Sequence, residues 1–228
     1  MDIVNNVREI VKPQYDTLEC WVHSWPHIER VSANAETLAR MENLTPDYCS
    51  LSVVSALCHD LGRIEEEKRK KRGDTPIHHA LLSIEPTTQV LQQVGIKGLP
   101  FDEIVEAVAV HSYRVYEGKN NVVKILQDAD KMNGFGPYGI LGGIKYFGGF
   151  DYVDSKEIVK NKDNRGLLIA LCDLSLRQLK GDVLEKVKKG VDFTIEWFDM
   201  LHTKSARLLV KEEYEYMVDT RRMLEHLI

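Results

Sequence analysis

The chain has 228 residues, 43% of them hydrophobic and 29% charged, which suits one large globular domain or two small ones and excludes disorder as the main state. With 30 Lys and Arg against 35 Asp and Glu, the net charge is −5, so there is no basic excess to furnish a dedicated nucleic-acid surface. No apolar run is long enough to span a bilayer, and the opening MDIVNNVREIVK spreads charges where a signal peptide needs an apolar core.

Helix formers dominate from the start. Ile28, Val31, Ala35, Leu38, Ala39 and Met41 recur at helical spacing, and Pro26 sets His27 in the first turn of that helix. Thr45-Pro46-Asp47 reads as an N-cap followed by proline at the first helical position. The helix it opens, over 48–61, is rich in small and apolar residues and is expected to be buried, with Gly62 as its stop. Residues 63–74, RIEEEKRKKRGD, have no apolar face. They read as a solvated loop or frayed helix end, with a mobile basic lid over an anionic substrate as the sharper alternative. Thr75-Pro76 opens a helix over 77–94, which Pro86 should kink or split and Gly95 ends.

Two short amphipathic helices follow, over 101–111 and 122–132. Residues 134–149 hold seven glycines but no Gly-Lys-Ser/Thr and no preceding strand, so turns and tight helix contacts explain them better than a phosphate loop. Residues 151–164 are polar and read as a flexible insertion. Helices are expected over 166–180 and, as one long element, over 191–228, where Ile195, Phe198, Leu201, Leu208 and Tyr214 belong to a broken apolar stripe. There is no repeat and no linker, so the expectation is a single all-α domain over 1–228. The four cysteines, Cys20, Cys49, Cys58 and Cys172, form no C-x-x-C pair and read as reduced thiols in helices of a cytoplasmic protein.

Six of the eight histidines, His23, His27, His59, His78, His79 and His111, lie in the first half. His59-Asp60 is the sharpest feature, because it ends the apolar run Val53 to Cys58. An ionised carboxylate buried there costs several kcal/mol unless it is paired or bound to a metal. Asp128-Ala129-Asp130-Lys131 likewise follows an apolar run. Its two acids, two apart, point to different faces of a helix, so one can reach a metal while the other braces or caps. Lys131 is placed to meet a phosphate oxygen. His23 and His27 are four apart, but Pro26 makes a shared face doubtful, so His27 takes the ligand role and His23 a peripheral one.

In this order the segments His27-Ile28-Glu29-Arg30-Val31, Ala56-Leu57-Cys58-His59-Asp60-Leu61-Gly62 and Gln127-Asp128-Ala129-Asp130-Lys131-Met132 resemble the HD-domain metal-dependent phosphohydrolase superfamily, in the manner of its small bacterial and archaeal stand-alone members. The likeness spans about residues 20–150, with helices over 166–228 packed on that core. The resemblance implies an HD-like helical bundle with additional C-terminal helices. His27, His59, Asp60 and Asp130 fall on the four metal-binding positions, Asp130 being preferred over Asp128 because a basic residue, Lys131, follows it. His79 and His111 match positions that hold a second metal in binuclear relatives and otherwise contact phosphate, although Val110 stands where many such relatives have a tandem histidine. The Gly-Tyr-Pro motif of the cyclic-dinucleotide phosphodiesterase branch is absent.

The expected cofactor is a divalent ion (Mn, Fe, Mg, Zn or Ni), and the expected substrate a small anionic phosphate ester, with a nucleotide as the leading guess. Arg30, Arg63 and Lys131 are candidates to neutralise phosphate charge, and Asp128, His79 or His111 to orient the attacking water or shuttle its proton. Three other readings compete: a regulatory module that binds metal and nucleotide without turnover; a di-iron oxygenase, which requires two metals; and a purely structural role with histidines paired to acids and no metal, which the cost of His59-Asp60 and Asp130 in a helical core disfavours. A homodimer is open, and no membrane or nucleic-acid partner is expected.

Overall fold

A computed structural model describes residues 3–18, 21–147 and 164–226 and contains, among them, helices and no strand. The chain divides into two compact units, residues 1–130 and 131–228. No helix among the described residues is long and apolar enough to cross a membrane.

The first unit begins with α1 (Ile3–Tyr15), which buries Val7, Val11 and Tyr15. These lie four apart, so one helical face carries all three. Each fully buried valine contributes about 1.5–3 kcal/mol of transfer free energy, and the Tyr15 hydroxyl donates to the carbonyl of Leu57 at 3.1 Å. A 3₁₀ turn (Trp21–His23) leads into α2 (Trp25–Met41), whose Pro26 stands in the first turn as expected. α3 (Pro46–Cys58) is capped by the Thr45 side chain, which accepts from the Tyr48 amide at 3.4 Å. α2 and α3 pack along each other, and α1 lies against α3.

The charged block 63–74 is not a loop. It folds as α4 (Arg63–Arg72), with Glu65 and Glu66 in the first turn and Arg69 to Arg72 in the last, each sign opposite to the helix-end partial charge beside it. Gly73, at φ 73°, closes it in the left-handed conformation that glycine adopts without Cβ strain. The expected helix over 77–94 is two: α5 (His79–Leu82), capped by the His78 ring, and α6 (Ile84–Gln93). The break falls at Ser83, three residues before Pro86, because proline offers no amide to the carbonyl of Leu82. α7 (Leu99–Val110) and α8 (Asn121–Met132) complete the unit. The Asn34 side chain ties α2 to the Ala129 carbonyl at 3.2 Å, and the Gln127 side chain donates to the Val110 carbonyl at 2.7 Å. α8 is therefore pinned at Gln127 and at Ala129, beside Asp128 and Asp130.

The second unit holds α9 (Gly136–Tyr146), α10 (Arg165–Leu176), α11 (Gly181–Met200), α12 (Lys204–Leu209) and α13 (Lys211–Glu225). α9 packs on α10, α11 and α13. The glycine-rich stretch acts through close approach: a Cβ on Gly139 would stand 1.9 Å from the Gly134 carbonyl oxygen. The single long helix expected over 191–228 is three, and α11 starts ten residues earlier than that. Leu201 turns extended, at φ −65° and ψ 130°, and the Thr203 side chain then caps α12. Local capping outcompetes the run of helix formers there. Of the insertion expected over 151–164, residues 151–163 lie outside the described residues, as does Cys20, whereas Asn164 caps α10. Cys49, Cys58 and Cys172 are free thiols within helices.

Candidate metal centre

Six polar side chains from five elements of the first unit converge: His27 in the first turn of α2, His59 and Asp60 just past α3, His79 at the start of α5, His111 just past α7, and Asp130 on α8. His59 is fully buried, Asp60 and His111 nearly so, and Asp130 is partly exposed. His59 and His111 share one construction. Each follows directly after a helix and keeps right-handed helical dihedrals. Each sets its Nδ1 2.7 Å from the carbonyl three residues back, Ala56 and Val108 respectively. That places the proton on Nδ1 and leaves the Nε2 lone pair facing the cluster.

Asp60 lies between two groups. Its Oδ2 stands 3.7 Å from His27 Nε2 and 3.7 Å from His59 Nε2, and these two nitrogens are 3.2 Å apart. Asp130 Oδ1 joins that side, 3.5 Å from His27 Nε2 and 3.8 Å from His59 Nε2. The other carboxylate oxygen, Oδ1, stands 3.4 Å from His79 Nε2 and 3.7 Å from His111 Nε2, which are 3.3 Å from each other. Atoms bound to one ion at about 2.1 Å stand roughly 3–3.5 Å apart when adjacent, so the spacing fits a cation on each side. Three sets, His27/His59/Asp60, His59/His111/Asp130 and Asp60/His79/His111, each bring their donor atoms within 4.8 Å of one another and could hold a metal ion.

The electrostatics agree with the geometry. Burial pushes His27 down to about 3, His79 to about 2 and His111 to about 4, so these imidazoles are neutral near pH 7 and keep the lone pairs that a metal uses. Burial alone would raise the Asp60 carboxyl, but Arg63 and His59 hold it well below the ordinary range. Asp130 is likewise lowered, by His59 and His27 against its own burial. Two carboxylates amid neutral imidazoles leave a negative centre that a divalent cation would neutralise.

Of the remaining candidates, Arg63 has a direct contact with this centre. Arg63, on the first turn of α4, donates from Nε to Asp60 Oδ1 at 3.3 Å and from a terminal nitrogen to Glu66 Oε2 at 3.0 Å. Arg30 stands on α2, one turn after His27. Asp128 is buried on α8 and enters none of the three donor sets, and Lys131 is buried one residue beyond Asp130. His23 comes nearer than its peripheral reading suggested, its ring edge-on to His27 with centroids 5.7 Å apart.

The sequence reading missed Glu66, whose Oε1 lies 3.7 Å from His79 Nδ1, and Ser83. The Ser83 hydroxyl accepts from the Gly62 amide at 2.8 Å and donates to the His59 carbonyl at 2.7 Å, so it fastens the doublet to the end of α5. Gly62 is also not a left-handed helix stop. Its φ is −66°, and its service is close approach, since a Cβ there would lie 2.1 Å from the His79 carbonyl oxygen.

Residues 25–133 match the family model of the HD domain. Solved structures share the fold over nearly the whole chain. Bacillus subtilis YpgQ is 22% identical with a TM-score of 0.64, covering 99% of this chain and 96% of its own. The same protein solved in complex with ADP gives 21% identity and a TM-score of 0.61, with 97% and 96% covered. An HD-superfamily hydrolase of Bacillus thuringiensis is 15% identical with a TM-score of 0.58, covering 97% and 94%. At these identities the likeness is one of fold. No curated protein sequence matches the chain.

Proposed function

The chain carries an HD domain across residues 25–133, and from that premise we propose that it is a metal-dependent phosphohydrolase acting on a small phosphate ester, a nucleotide first among them. The observation that carries the proposal is that His27, His59 and Asp60 form one donor set able to hold a metal ion, with Asp130 Oδ1 beside it at 3.5 Å from His27 Nε2 and 3.8 Å from His59 Nε2. The ADP complex of Bacillus subtilis YpgQ supports a phosphorylated ligand and favours nucleotides among phosphate esters.

A divalent ion held there supplies polarisation of a phosphoryl oxygen and a lowered pKa for water. His27, His59, Asp60 and Asp130 would hold it, and Asp60, His79 and His111 could hold a second ion. The Ala56 and Val108 carbonyls fix two of the imidazoles with Nε2 inward, so these ligands need no proton loss on binding. Arg63, Arg30 and Lys131 meet phosphate charge. Asp128 braces α8 beside Asp130. The place of action is the cytoplasm, and the protein acts on a small anion with no membrane or nucleic-acid partner.

One observation favours a second reading. Asp60 shared between two imidazole groups would also suit a di-iron oxygenase, which consumes O₂ where a hydrolase does not. The test is a screen of the purified chain, loaded with Mn²⁺ or Ni²⁺, against nucleotides and phosphomonoesters, with Asp130→Ala alongside. Phosphate release by the parent and its loss in the variant are expected. Full turnover and retained metal in Asp130→Ala would reject the assignment of that ligand. Substrate-dependent oxygen uptake by the Fe²⁺-loaded chain would move the function to the second reading.

A further inference from the structure

The two sides of Asp60 are not equivalent. Oδ2 faces His27 and His59, whereas Oδ1 faces His79 and His111 and already accepts from Arg63 Nε at 3.3 Å. Arg63 is three residues beyond Asp60, in the first helical turn after it, with 24% of its side chain exposed. Its guanidinium is permanently charged and planar, so it is a fixed positive charge at the oxygen that an ion on the His79 side would need. A divalent ion arriving there meets both a competitor for Oδ1 and a like charge.

Glu66 stands behind this arrangement. One of its oxygens accepts from Arg63 at 3.0 Å and the other lies 3.7 Å from His79 Nδ1. It draws the guanidinium away from Asp60 and offers the outer nitrogen of His79 a carboxylate, the arrangement that strengthens an imidazole as a ligand. Arg63 and Glu66 therefore bear on the His79 side with opposite signs.

We infer that Arg63, opposed by Glu66, sets the metal stoichiometry of the centre: the His27–His59–Asp60–Asp130 side fills first, and the Asp60–His79–His111 side fills weakly because the guanidinium holds its shared oxygen. This rests on the metal-centre reading above. It makes Arg63 a selectivity residue for metal loading, in addition to any contact it makes with phosphate.

The experiment is a calorimetric titration of the full, chelator-stripped chain with Mn²⁺, with electron paramagnetic resonance on the same samples to detect coupled ion pairs. In the parent, one ion binds tightly and a second at least about tenfold more weakly, a gap of about 1.4 kcal/mol or more. Arg63→Gln raises the affinity of the second ion about tenfold or more, and coupled Mn²⁺ pairs appear at lower total metal. Glu66→Gln moves it the other way, because the guanidinium then turns fully to Asp60. Arg63→Lys keeps a charge near Oδ1 and falls between the parent and Arg63→Gln.

Two ions of equal affinity in the parent overturn the inference without any variant. So does a second-ion affinity left unchanged by both Arg63→Gln and Glu66→Gln. Should Arg63→Gln fail to fold, the parent and Glu66→Gln titrations decide the matter alone. A parent chain that binds no Mn²⁺ at all removes the metal-centre reading itself. One tight ion with no response to Arg63 removes only the inference.

Discussion

Replacing Gly62 by alanine perturbs the centre without touching any side chain in it. The added Cβ would meet the His79 carbonyl oxygen at 2.1 Å, the Ser83 amide nitrogen at 2.5 Å and the Leu82 carbonyl carbon at 2.7 Å. All three are backbone atoms, so no rotamer change relieves the overlap, and α5 must retreat from the doublet by about 1 Å to restore van der Waals contact. Overpacking of this kind costs about 1–3 kcal/mol, at the upper end when backbone has to move. The retreat also strains the buried bond from the Gly62 amide to the Ser83 hydroxyl, adding about 1–2 kcal/mol. Alanine returns about 0.4–1 kcal/mol by restricting the unfolded chain. The net loss is about 2–4 kcal/mol, or roughly 5–15 °C in Tm for a chain of this size. The assay is thermal unfolding of the chelator-treated protein by circular dichroism, followed by Mn²⁺ titration. Because His79 rides on α5, the retreat draws its Nε2 away from Asp60 Oδ1, and ion binding on that side weakens together with stability. Gly73→Ala is the control. It strains a left-handed residue in open space, costs about 1 kcal/mol and leaves metal binding alone. A Gly62→Ala protein that melts within a degree or two of the parent would refute the reasoning.

Three further outcomes follow from the same structure. His27, His79 and His111 have folded-state pKa values of about 3, 2 and 4, below their unfolded values, so the unfolded chain binds more protons once the pH falls below about 6.5. The chelated protein should therefore be stable above that pH and lose on the order of 2 kcal/mol per imidazole by pH 5. Asp60, also depressed, adds a loss of the same sign at lower pH. Urea melts from pH 8 to pH 5 check this, and a flat profile would contradict it. Ser83→Ala removes the acceptor of the Gly62 amide and the donor to the His59 carbonyl, and should cost about 1–3 kcal/mol in the same melts. Gly143→Ala, inside α9 with open space at its Cβ, should raise stability by about 0.5–1 kcal/mol.

The helices with an apolar period, α2, α3, α7 and α8, were legible because burial of one face and caps such as Thr45 both leave marks in the local sequence. His59-Asp60 and Asp130 stood out for the same reason, as polar groups at the ends of apolar runs. α4 was misread because its helix is held by end-charge complementarity and Gly73, not by an apolar face. The breaks at Ser83 and at Leu201–Thr203 depend on backbone partners set by packing and capping, which a run of helix formers conceals. The service of Gly62 and the contact of Glu66 with His79 are tertiary facts. Nothing in LGRIEEE announces which backbone will lie against the glycine or which glutamate will turn inward. The double use of Asp60 was hidden likewise, because one residue in a sequence gives no sign that its two oxygens serve different neighbours.

Whether these imidazoles and carboxylates hold a divalent ion decides the function of the centre. X-ray absorption at the metal edge, on protein purified without chelator and quantified by elemental analysis, reads both occupancy and donor atoms. At least one divalent ion per chain is expected, in an all nitrogen and oxygen shell at about 2.0–2.2 Å with clear imidazole scattering, and lost in His59→Ala. A chain free of metal after reconstitution, or an ion whose shell is unchanged when His59 is removed, would contradict the account.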